Sequence, residues 1–159
     1  MQFTGTVEIA APRDRVWAFL MDPEQVGACG PGVESVEVVD ADHFKAKAKV
    51  GIGFISAKFN VDMTVAERHE PDLAILKAHG QAPGSAVDAT ASMALAGPAE
   101  GPTTMDWSAD VLIAGTLASV GARLIEGTAN RMIGQTFDCI RSKLEAAPAP
   151  EPAGTADTP

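Results

Sequence analysis

An α+β domain, in which a curved antiparallel sheet wraps around one long C-terminal helix, is predicted by three features of this sequence. Strand-like alternation of apolar and polar residues recurs from Phe3 to Ile113. Between the first strand and the others, Ala11 to Gly30 supplies two short helices. From Ala118 to Ala146 the apolar period changes to three and four residues, giving one continuous apolar face.

The opening strand is Phe3 to Ala10, alternating apolar with small or polar residues. Pro12 then falls in the first turn of a helix, where its missing N–H costs nothing, and Val16, Trp17, Phe19 and Leu20 give that helix an apolar side. Asp22-Pro23 ends it and opens a second helix through Val26 to Cys29, which Gly30-Pro31-Gly32 stops. Strands are expected over Val33 to Asp40, His43 to Val50, Phe54 to Glu67, Leu73 to Gly80, Val87 to Leu95 and Met105 to Ile113. Gly51-Ile52-Gly53, Glu70-Pro71-Asp72 and the stretch from Gly97 to Pro102 are the turns between them. Val120, Leu124, Ile125, Met132, Ile133, Phe137, Ile140 and Leu144 line the long helix. Residues 1–146 therefore form one domain, and the Pro/Ala-rich residues 147–159 are expected to be disordered. This order of elements is that of a helix-grip architecture, whose ligands lie between sheet and helix.

The inward phase of the strands is short of bulk. Ala46, Ala48, Ala57, Ala78, Ala89, Ala91 and Ala109 share it with Phe59, Val61, Met63, Leu76, Met93, Trp107 and Val111. A face so furnished either approaches the helix closely or leaves a void, and within a helix-grip fold the void is the expectation. Its predicted lining is Phe19, Phe54, Phe59, Val61, Met63, Leu76, Ala91, Met93, Trp107 and Val111, closed by Leu124, Ile125 and Met132 of the helix. Pockets lined mainly by apolar groups are the usual form of small-molecule sites.

Chemistry is harder to find. His43 and His79 share the outer, lysine-bearing phases of their strands, and His69 precedes a turn. Asp106, Ser108 and Asp110 alternate away from Trp107 and Ala109. General acid–base catalysis needs a titratable group within reach of a positioned substrate, and the inner phase offers none, so a binding module is expected and not an enzyme. No metal-ligand spacing is seen. A formal net charge of −9 disfavours nucleic acid as a partner. Cys29 and Cys139 are expected as two free, buried thiols, with a disulfide as the alternative. Met1 to Gly5 has neither a basic run nor an apolar core, so a cytoplasmic location is expected. Ile52, Phe54 and Ile55 cluster around a glycine turn, where they pack as an ordinary hairpin, close over the cavity, or touch a membrane or partner.

Several segments read together. Ile9 to Leu20, Asp22-Pro23-Glu24, Cys29-Gly30-Pro31-Gly32-Val33-Glu34-Ser35, Ala57 to Asp62 and Gly121 to Gly127 resemble the CoxG family of carbon monoxide dehydrogenase subunits, in the START-like (SRPBCC) superfamily. The resemblance spans residue 1 to about residue 146, and Cys29 to Ser35 is its more specific part. It implies a helix-grip, START-like fold and an accessory protein, not a catalytic subunit, of an aerobic carbon monoxide dehydrogenase. It further implies recruitment of that enzyme to the cytoplasmic membrane, with peripheral contact there. A lipid-soluble quinone (menaquinone or ubiquinone) or another lipid is the implied ligand, with no covalent cofactor. A START-like cyclase or hydrolase, and an adaptor without a ligand, are the alternatives.

Overall fold

The computed structural model describes residues 1–146, so the tail expected to be disordered lies outside the described residues. The strands are β1 (Gln2–Ile9), β2 (Val33–Asp40), β3 (His43–Ile52), β4 (Ile55–His69), β5 (Leu73–Ala82), β6 (Ser85–Ala96) and β7 (Thr103–Gly115). The helices are α1 (Arg13–Leu20), α2 (Pro23–Cys29) and α3 (Ala122–Ala146). All strands join one antiparallel sheet in the order β1-β7-β6-β5-β4-β3-β2, which curves around α3. The predicted architecture is the observed one.

Two local differences stand out. The long helix begins at Ala122, because Thr116–Val120 forms a 3-10 turn that Gly121 ends at φ 97°, a conformation L side chains rarely adopt. The expected turn at residues 51–53 is shorter: β3 runs on through Ile52, pairing with Ile55, and only Gly53 and Phe54 make the turn.

Strand direction gives the domain two unlike ends. The turns after β2, β4 and β6 lie at one end, together with α1, α2 and the C-terminal half of α3. There Ile9, Val16, Trp17, Phe19, Leu95, Met105, Ile140 and Leu144 form a filled core. Side chains tie this end shut: Arg15 donates to the Leu144 carbonyl at 3.0 Å, and the Ala10 amide donates to Glu145 Oε2 at 2.9 Å. The buried Thr103 hydroxyl donates to the Ala11 carbonyl at 2.8 Å, so its polar atom has a partner. Asp22 caps α2, accepting from the amides of Glu24 and Gln25 at 3.1 and 3.4 Å.

Cys29 and Cys139 are joined in a disulfide, with Cα atoms 5.4 Å apart, which corrects the expectation of two free thiols. Cys29 ends α2 where it packs on α3, and the bonding follows from that contact across 110 residues of chain. Separation along the sequence carries no trace of it.

At the opposite end the β3–β4 and β5–β6 turns gather around the 3-10 turn and the start of α3. A second, smaller cluster of Ile52, Phe59 and Leu117 sits here. The Leu117 amide donates to Ser85 Oγ at 2.9 Å, which fixes the 3-10 turn to the β5–β6 hairpin.

Candidate functional site

Under the N-terminal half of α3, Ala48, Ala78, Gly80 and Ala89 stand among the larger inward residues, and sheet and helix leave between them a partly open cavity of about 230 Å³. Its floor on the sheet side is Ala48, Val50 and Ile52 of β3, Phe59 and Val61 of β4, and Ala78 and Gly80 of β5. Val87, Ala89 and Ile113 complete the wall, Leu117 covers one end, and Ile125, Thr128, Ala129 and Met132 form the roof. One water needs roughly 10–15 Å³, so the space is far larger than a packing defect.

Thr128 supplies the single hydroxyl of the lining and is only 7% exposed. Every other lining side chain is aliphatic, aromatic, thioether or glycine. The space therefore suits an apolar body carrying few polar atoms.

Of the thirteen residues predicted to line the void, four come together here: Phe59, Val61, Ile125 and Met132. The others do not line it. Phe19, Met93 and Trp107 belong to the filled end, with Trp107 against Phe137. Met63, Leu76, Ala91 and Val111 are partly buried on the inner face but lie outside the lining. Phe54 points away into solvent at 94% exposure, and Leu124 is 48% exposed. The reason is geometric. Alternation identifies the inner face of each strand but not which part of its length the short helices fill. Sequence reasoning misses Thr128 and Ala129, although they fall three and four residues after Ile125, the spacing that marks a shared helix face.

The ionisable groups stand elsewhere. His43 pairs with Asp40 at 2.8 Å, His69 with Glu67 at 3.4 Å and His79 with Asp88 at 2.6 Å, all with exposed side chains. The hydrogen bond from His43 holds the Asp40 carboxyl below its ordinary value, and bonds from Gln25 and Glu24 do the same for Asp22. Neither carboxyl is in the cavity lining, so the perturbed groups do not mark a reaction centre. Among the described residues no group of three or more His, Cys, Asp or Glu could hold a metal ion. No helix among them is long and apolar enough to cross a membrane.

The model of the CoxG family, the carbon monoxide dehydrogenase subunits of that name, matches residues 5–145. The chain belongs to the CoxG family. No sequence among the curated proteins compared matches it. Among solved structures, a conserved protein from Geobacillus kaustophilus is 25% identical, with a TM-score of 0.83 over 91% of this chain and 95% of that one. A START superfamily protein from Mycobacterium smegmatis has a TM-score of 0.67 at 15% identity, covering 91% of this chain and 97% of that one. The ZhuI aromatase/cyclase from Streptomyces sp. R1128 reaches 0.69 at 17% identity, over 91% and 93%. The last two establish the START-like fold alone.

Proposed function

We propose that this CoxG-family protein is a non-enzymatic accessory protein of aerobic carbon monoxide dehydrogenase. It carries an apolar ligand, a quinone or lipid, beneath α3 and helps recruit or couple the enzyme to the cytoplasmic face of the membrane. The observation that carries the reading is a cavity of about 230 Å³ in which Thr128 is the single polar side chain. Burial drives binding, at about 25 cal/mol for each Å² of apolar surface removed from water.

Menaquinone or ubiquinone fits this donor set. A quinone is an apolar ring with carbonyl acceptors, and the Thr128 hydroxyl in the lining is a donor for one of them. The volume of about 230 Å³ falls just below the usual range of ligand pockets, so the cavity takes a ring and little more, and the tail leaves past the rim. A menaquinone or ubiquinone so held serves as the lipid-soluble acceptor the dehydrogenase must reach.

A cyclase activity like that named for ZhuI would need an acid or base facing the substrate. The lining offers none, which favours the carrier. A ligand-free adaptor would be expected to have a filled interior, which the space beneath α3 disfavours.

Organic extraction of protein purified under native conditions, followed by mass spectrometry, tests the reading. One quinone or lipid per chain is the expected result. Buffer components alone from well-expressed, folded protein would overturn it.

A further inference from the structure

We propose that the β3–β4 hairpin is a membrane-docking element that seats the cavity rim on an anionic bilayer; the proposal rests on the carrier reading above. Three observations support it. First, the turn needs glycine at residue 53, which has φ 61°, and makes no demand on residue 54. Phe54 nevertheless stands there at 94% exposure, a cost in water with no return inside the fold.

Second, that aromatic ring is one step from the cavity. Ile52 lines the cavity and Phe54 lies just beyond the turn. On the facing helix Ile125 lines the cavity, and its neighbour Leu124 is 48% exposed. The hairpin turn and this leucine are neighbours, since a Cβ placed on Gly53 would stand 3.5 Å from Leu124 Cδ1.

Third, charge is sorted along the hairpin. The chain carries a net −9, yet the outer phase of β3 is Lys45, Lys47 and Lys49. Away from the tip the cations have acidic or polar partners: Lys45 lies opposite Asp62 and Glu37, and Lys47 opposite Asn60 and Ser35. Toward the tip the register sets Lys49 directly opposite Lys58. Like charges so placed destabilise a hairpin, and an anionic surface relieves them. The first turn of α3 adds Arg123 and no acid.

The dimensions suit a lipid surface. Strands rise about 3.4 Å per residue, so the lysine pair sits roughly 10 Å behind the turn. Interfacial elements bury their apolar side about 5–10 Å into the boundary of headgroups and acyl chains. Phe54 at that boundary leaves both ammonium groups at the phosphates.

Co-sedimentation of the full chain with phosphatidylglycerol/phosphatidylcholine vesicles, against phosphatidylcholine alone, tests the proposal. Wild type should prefer the anionic vesicles. Lys49→Gln and Lys58→Gln should each weaken binding about fivefold, and Phe54→Ser about tenfold or more. None of the three residues lines the cavity, so ligand content on extraction should stay at the wild-type value, and melting temperature should hold for Phe54→Ser and hold or rise for the two lysine variants, which lose the like-charge pair. Absence of vesicle binding, or equal binding by wild type and Phe54→Ser, overturns the proposal. So does a Phe54→Ser variant that loses the dehydrogenase but keeps the vesicles, which would assign the tip to a protein partner. The carrier reading fails separately: vesicle binding with this pattern and no extractable ligand leaves the docking element standing and removes the cargo.

Discussion

Trp107 and Phe137 meet with ring centroids 5.3 Å apart and planes tilted by 52°, on the side of the interior where the filled core gives way to the cavity. Gly5, opposite Trp107 in register, leaves the indole room: a Cβ there would lie 2.8 Å from the ring. The pair sits between the helices that plug one end and the small side chains that leave the other open. Trp107→Ala should therefore enlarge the cavity toward the plugged end. The expected cost is about 3 kcal/mol, the low end for losing a large aromatic from a core. Chemical denaturation reads that loss, and retention of longer-tailed ligands on extraction reads the added volume.

Thr128 offers a second prediction. Thr128→Val keeps shape and removes the hydroxyl, leaving a wholly apolar lining. Affinity for a quinone should fall about threefold to tenfold, as expected for one hydrogen bond, while affinity for a hydrocarbon of similar size holds or rises. Parallel titrations of the two ligands check it. Equal losses for both would mean that the hydroxyl acts through packing.

The disulfide supplies a third. Cys29–Cys139 closes a loop of 110 residues, for which loss of the cross-link is expected to cost about 3–5 kcal/mol. Melting with and without reductant, and of Cys139→Ser, should show that drop. Because the bond ties α2 to the C-terminal part of α3, ligand content should survive it at temperatures where the domain stays folded.

Asp22 gives a pH dependence with a definite sign. Its carboxylate accepts from Gln25 and Glu24, so its folded-state value lies below the ordinary 3.8. A carboxyl lowered on folding stabilises above its unfolded value and loses that contribution as pH falls through the folded one. Asp22→Ala should cost about 1 kcal/mol at neutral pH. The difference from wild type in melting temperature should shrink once the pH drops well below 3.8.

Much of this was legible in the sequence. Alternation placed every strand, and the shift to helical spacing placed α3, because burial on one face imposes a period that the residues must carry. The N-terminal order of strand and two helices, with Cys29 to Ser35, pointed to the family that residues 5–145 match. What the alternation could not report is depth along a strand. Met93 and Ala89 share one face of β6, yet Met93 packs in the filled core and Ala89 lines the cavity. The difference is set by where α1 and α2 dock, a tertiary fact. Phe54 illustrates the same limit: an aromatic in a strand-like run reads as core, and only the turn at Gly53 turns it outward.

The central claim is that the space beneath α3 holds an apolar ligand, and a paired titration tests it most directly. Ligand-stripped wild type and Ala89→Phe, which fills the space with the protein's own ring, are titrated with a short-chain naphthoquinone and followed by melting temperature. Ligand that binds only the folded state raises it. The account predicts a rise that grows with concentration in wild type and is absent in the folded Ala89→Phe variant. An equal rise in both, or none in folded wild type, would contradict it.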